Sequence, residues 1–238
     1  MISLRTRARV VGSLFLLAAV TAIIGLFLYN PVLQHADYAL QNDAQQTRIA
    51  TGAFMEVLLA LSMIGIGVGM YPVLKKLSET LALGYAFFRL LESTIVIVGM
   101  LALLTAVTLS NNLPTSAHLQ PEAHLLTTRM LVALHDWTFL LGPNTALGVS
   151  TSMMSFLLFR HGLVPRWISA LGLVGGPMIF VSSILVMYGL YAQQSAWGAV
   201  AALPVFLYEM SVAVYLIAKG FRGKPDQPSA VQSHLQPS

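Results

Sequence analysis

Residues 80–109 read TLALGYAFFRLLESTIVIVGMLALLTAVTL. Arg89 and Glu92 are the only charges in these thirty positions. A helix rises about 1.5 Å per residue, and about 20 apolar residues cover the roughly 30 Å hydrocarbon layer of a bilayer. The run is therefore long enough to cross a membrane. Five more runs of the same kind flank it, at about 10–29, 50–73, 131–159, 167–191 and 197–218. The expected fold class is all-α, a polytopic transmembrane helical bundle of six spans.

The composition agrees. Of 238 residues, 9 % are charged and 56 % are hydrophobic, and the mean hydropathy is +0.74. A soluble domain carries about 25 % charged residues, so a soluble globular protein is excluded, and so is disorder for the body of the chain. The net charge of +4 points to no nucleic acid, because no basic cluster is interleaved with aromatics. The absence of Cys excludes disulfides, thiolate metal sites and catalytic thiols. Arg5, Arg7 and Arg9 precede the first run as they would a secretory signal. The run is too long for one, and Asn30-Pro31 follows it instead of a small-residue cleavage site. It is expected to be retained.

Basic residues set the orientation, because cytoplasmic loops carry an excess of Lys and Arg. Arg5, Arg7, Arg9, Lys75, Lys76, Arg160, Arg166, Lys219, Arg222 and Lys224 fall on one side, and only Arg48 and Arg129 on the other. Both termini are expected in the cytoplasm (N-in/C-in), with loops near 30–49, 110–130 and 192–196 outside. Tyr29, Tyr188, Tyr191 and Trp197 would form the outer aromatic belt, and Tyr71, Trp167 and Phe221 the inner one. Residues 1–222 read as one transmembrane domain and 223–238 as a disordered cytoplasmic tail. Pro121 to Leu126 read as a short interfacial helix leading into the fourth span.

The residues that carry chemistry are the ionisable ones inside spans: Glu56, Arg89, Glu92, Asp136 and Glu209, with His135 beside Asp136. A charge at the bilayer centre costs about 2.5–3.5 kcal/mol even on insertion scales, so such groups turn inward and find partners. Counting residues from the span ends places Glu56 and Asp136 about 9 Å below the outer surface, and Arg89, Glu92 and Glu209 about 14–18 Å deep. Glu56 and Asp136 are expected to meet as an outer carboxyl pair. Arg89 and Glu92 share a face at i,i+3, together with Tyr85, and are expected to reach Glu209. Four carboxyls against one guaranteed cation leave excess negative charge, which protons, a bound cation or water must balance.

Pro143, Pro177 and Pro204 interrupt spans four, five and six and release the carbonyls of Phe139, Leu173 and Val200. A kinked helix beside a carboxylate is a transporter device for cations. Gly65 and Gly69, and Gly172 and Gly176, have the small-xxx-small spacing of close helix contacts. Packing inside the bundle is their first expected use and dimerisation the second, a homo-oligomer being possible but without support of its own. His35, His118, His124 and His135 gather on the outer side, but their spacing fits no metal template, and no metal is expected. No HExxH, P-loop, GxSxG or GxGxxG occurs, so no cofactor is expected.

Several short stretches carry a family resemblance: ATGAFME at 50–56, YPVLKK at 71–76, LALGY at 81–85, FRLLE at 88–92, DWTFLLGP at 136–143, LVPRW at 163–167 and GLVGGP at 172–177. In this order they resemble the "domain of unknown function 4386" family of bacterial multipass membrane proteins, over about residues 8–222. The resemblance implies a bacterial cytoplasmic (inner) membrane location and carries no activity with it.

The residues leave three functions open. The first is binding or transport of a small solute, proton or cation through the carboxylate pocket of Glu56, Asp136, Arg89, Glu92, Glu209 and His135. The second is an intramembrane enzyme on a lipid-like substrate, with Asp136 and His135 or Glu56 as acid and base. The third is a structural or interaction protein whose partner is the bilayer and whose charges only hold helices together.

Overall fold

The computed structural model describes residues 3–35, 43–111 and 121–222. Among the described residues there is no strand. The helices are α1 Leu4–Gln34, α2 Asp43–Leu74, α3 Glu79–Asn111, α4 Pro121–Leu140, α5 Leu147–His161, α6 Arg166–Met187 and α7 Ala196–Ala218, with a π-helical segment, Leu141–Ala146, joining α4 to α5.

Local chemistry sets the ends. The Ser3 hydroxyl accepts from the Thr6 N–H at 3.0 Å and Ser195 accepts from Gly198 at 3.3 Å, each satisfying a donor that the first helical turn leaves free. α5 stops where Gly162 turns left-handed, at φ +64, a conformation that costs glycine least. α6 stops at Met187, before Gly189 at φ +74, four residues short of the run's expected end at 191.

α1, α2, α3, α6 and α7 are each long and apolar enough to cross a membrane. The fourth apolar run differs from expectation. Its helical path extends from Pro121 to His161 but is broken by the π segment. α4 carries Arg129 and Asp136, and α5 is 15 residues long. Pro143 explains the break, because it has no N–H to give Phe139 and its ring crowds the preceding turn. One wide π turn absorbs both effects. Residues 121–126 form the first turns of α4 rather than a separate helix.

Neighbours in sequence pack side by side, α3 also meets α5, and α7 returns to α1 and closes the bundle. Lipid tails are as apolar as leucine, so helix association depends on close packing at small residues. A Cβ on Gly12 of α1 would lie 2.6 Å from the Ala213 carbonyl oxygen of α7, and one on Gly148 of α5 would lie 2.8 Å from the Gly176 oxygen of α6. Gly65 and Gly69 face Leu14 and Val11 of α1, and Gly172 faces Ser155 and Tyr208. Both small-residue pairs therefore pack inside the bundle.

The largest core lies at the end where α1 begins and α7 finishes, around Val11, Phe15, Met70, Tyr85, Leu158 and Val212. There the Arg222 N–H donates to the Leu163 carbonyl at 2.7 Å. Smaller clusters hold the other end: Tyr29, Val32, Leu103 and Val132 in one, Ile179, Ala201 and Val205 in another. Outside, Leu61, Val68, Phe87, Val174 and Val214 are each more than half exposed. An apolar belt of that extent suits hydrocarbon and not water. Tyr188, Trp197 and Trp167 also stand on the outside. Tyr29, expected in the outer belt, is buried instead. Residues 223–238, with the expected tail, and His118 lie outside the described residues.

Candidate functional site

α3 presents Arg89 and Glu92 on one face, directed at α7. Arg89 donates from Nη1 to Glu92 Oε2 at 3.2 Å and from Nη2 to Glu209 Oε1 at 2.5 Å. The Arg89 and Glu92 side chains are 3 % and 1 % exposed, and Glu209 is 19 % exposed, so Glu209 is the member that opens outward. The guanidinium lies 5.5 Å from the centre of the Phe15 ring and 5.8 Å from that of Tyr85, a cation–π enclosure on two sides. The hydroxyls of Tyr85 and Tyr208 and the Nε of Arg89 are buried without hydrogen-bond partners. The expected Arg89, Glu92 and Glu209 group is thus assembled, and Phe15 and Tyr85 complete it.

A second cluster sits nearer the other end. Tyr29 of α1 donates its hydroxyl to Glu56 Oε2 of α2 at 3.1 Å. His135 Nε2 of α4 lies 3.7 Å from Glu56 Oε1. The Tyr29 and His135 rings meet edge to face, 5.4 Å apart at 83°, and Phe139 stacks on the imidazole one turn along. Two glycines make room for these rings. A Cβ on Gly52 would lie 2.5 Å from Tyr29 Cε1, and one on Gly99 would collide with the Thr138 hydroxyl and reach His135 Cδ2 at 3.4 Å.

Asp136 is placed differently from expectation. One residue along a helix is a rotation of about 100°, so with His135 turned inward Asp136 turns away. Its side chain is 55 % exposed and its Oδ1 lies 3.8 Å from His135 Nδ1, beyond hydrogen-bond reach. It opens into a separate cleft with Gln34, Trp137 and Tyr191. Glu56 meets Tyr29 and His135, and the expected Glu56–Asp136 pair is replaced by that contact.

Both clusters border one cavity of about 340 Å³. Glu56, Arg89, Glu92, His135 and Glu209 all line it, and Asp136 does not. Its remaining walls are largely apolar, chiefly from α1 with equal shares from α2 and α7, and the π segment contributes Pro143 and Asn144. Thr145 holds that segment in place, donating to the Leu140 carbonyl at 3.2 Å and bonding with the Ser183 hydroxyl at 3.0 Å. Three carboxyls therefore converge on a space that holds one guanidinium, already shared by two of them, and one imidazole. Ionised together, these carboxyls exceed the cations beside them, and a proton, a bound cation or water has to balance the difference.

Sequence reasoning missed Tyr29, Phe15, Tyr208 and Asn144. No motif marks them. Gly52 is the one local sign for Tyr29, since a helix lacking a side chain there invites a large neighbour.

No curated protein and no solved structure matches the chain. The family described as "Domain of unknown function (DUF4386)" matches over residues 10–220, a stretch that contains every residue lining the cavity. The chain therefore belongs to the DUF4386 family.

Proposed function

We propose that this chain is a six-span protein of the bacterial cytoplasmic membrane that binds, and by binding moves, a small solute, proton or cation at the intramembrane carboxylate cavity. The fourth span comprises the later part of α4, the π segment and α5. Both termini face the cytoplasm, a reading supported by the distribution of Lys and Arg. Reporter fusions at the C-terminus test it: activity of a periplasm-only reporter there would overturn the orientation.

The observation that carries the binding reading is the convergence of Glu56, Arg89, Glu92, His135 and Glu209, from four helices, on one cavity of about 340 Å³. Buried ionisable groups are costly inside a membrane. A purely structural pairing of Arg89 would need neither the open volume nor Glu56. The test is thermal unfolding of the purified chain against small cations and short alkylamines. A ligand at a hundred times its Kd stabilises by about 2.7 kcal/mol. The gain is expected in the natural sequence and lost in Glu56→Gln and Glu209→Gln. A gain of equal size in both variants, or none with any probe, overturns the reading.

A further inference from the structure

α1 and α7 touch closely at one end. At the end where α1 begins, Gly12 lies against the Ala213 carbonyl, and Val11, Phe15, Val212 and Leu216 share one core. Toward the other end the helices take different partners. α1 leans on α2, α3 and α4 through Tyr29 and Val32, with Ile49, Leu103 and Val132. α7 leans on α6 through Ala201 and Val205, with Ile179. The space left between them is the outer part of the cavity. Ile23 and Leu26 of α1 and Phe206 of α7 line it, yet they are 59 %, 37 % and 44 % exposed. Residues that face both the cavity and the apolar outside mark a mouth, and this mouth opens sideways, at hydrocarbon depth.

What passes such a mouth must dissolve in lipid. What lies along the cavity meets Glu56 toward one end and, toward the other, Glu92 and Glu209 with the one guanidinium that both already hold. An anionic group brought there would face uncompensated like charge in a poorly solvated site, whereas an ammonium would find partners. Toward the far end the cavity and the cleft of Asp136 are separate spaces, with His135 beside Glu56 in the one and Asp136 in the other. The volume is at the small end of ligand pockets, about 300–1,000 Å³, enough for one slender chain and too little for two.

We infer that the occupant is a single-chain amphiphile with a cationic amine head, which enters from the bilayer between α1 and α7, lays its chain along Ala19 and Ala22 of α1 and Ala202 of α7, and places its ammonium among Glu56 and Glu209. The inference rests on the binding reading above and specifies its ligand class and its route.

The test uses the full chain in nanodiscs with three photoreactive probes of equal length: dodecylamine, dodecanoic acid and dodecanol, each bearing a chain diazirine. The amine is expected to label residues 19–26 and 202–209 about tenfold more than the acid or the alcohol, and unlabelled dodecylamine is expected to compete. Ala22→Phe and Ala202→Phe fill the cavity from opposite walls, and either folded variant is expected to lose the labelling. Glu209→Gln is expected to erase the preference for the amine. Adducts spread evenly over all lipid-facing helices, or equal labelling by the three heads, overturns the inference. If methylammonium stabilises the natural sequence and not Glu209→Gln while dodecylamine leaves no cavity adducts, the sideways route falls and the binding site stands. If neither probe acts, both fall.

Discussion

Replacing Arg89 with Met keeps most of the aliphatic stem but removes the guanidinium, and with it the cation–π contacts to Phe15 and Tyr85. Two charge-assisted bonds are lost, to Glu92 and Glu209, each of a kind worth about 1.5–3 kcal/mol. The larger effect is on what remains, because Glu92 is almost wholly buried and would keep a carboxyl without its cation. Removing one member of a buried pair costs about 3–5 kcal/mol, whereas replacing every member with neutral residues is often close to neutral. Arg89→Met is therefore expected to lose about 3–5 kcal/mol, and Arg89→Met with Glu92→Gln and Glu209→Gln to recover most of it. The intermediate doubles should differ. Adding Glu92→Gln should restore more than adding Glu209→Gln, since Glu209 already has partial access to its surroundings. The assay is reversible unfolding of the purified protein in mild detergent, analysed as a mutant cycle. Losses that simply add across the three sites would show that the residues do not act as one network.

Other expectations follow from single contacts. Gly52→Val should drive Tyr29 off Glu56 and cost about 1–3 kcal/mol, the usual range for overpacking, read as a lowered melting temperature. Tyr29→Phe keeps the ring but takes the buried hydroxyl from Glu56 and should cost about 1.5–3 kcal/mol; an unchanged melting temperature would show that the hydroxyl bond contributes nothing. Gly12→Leu should separate α1 from α7 and destabilise more than Ala19→Leu, which points into open cavity; unfolding in detergent compares the two. Lys75→Ala should leave the melting temperature unchanged, because the Lys75–Glu79 pair is largely exposed, with side chains 48 % and 66 % accessible, and exposed pairs contribute little.

The membrane character was legible from one feature, the length of the apolar runs, because hydrocarbon thickness fixes helix length. The run ends were less so. α1 starts at Leu4 rather than 10 and α2 at Asp43 rather than 50, since helices continue past the hydrocarbon into polar surroundings where hydropathy no longer reports them. Arg89 and Glu92 were legible because i,i+3 spacing is a strong geometric constraint, and Glu209 because its depth matched theirs. The outer cluster was not. In a soluble helix the polar face shows which way a residue points. α4 carries polar residues around much of its circumference and α1 is apolar around most of its own, so nothing in the sequence says whether His135 or its neighbour Asp136 turns inward. Depth alone favoured the two carboxyls, and a rotation of one residue decided for the imidazole. Tyr29 reads as a belt residue for the same reason, as a position near a helix end suits either role.

The central claim is that the cavity between α1 and α7 holds a cationic solute against its carboxyls. A high-resolution map of the full chain in nanodiscs, prepared with dodecylamine, tests it most directly. The account predicts density filling the cavity, with its polar end within hydrogen-bond distance of Glu56 or Glu209 and its chain running out past Ile23 and Phe206. An empty cavity in that map, or Ile23 and Phe206 closed against each other with dodecylamine seated elsewhere, would contradict it.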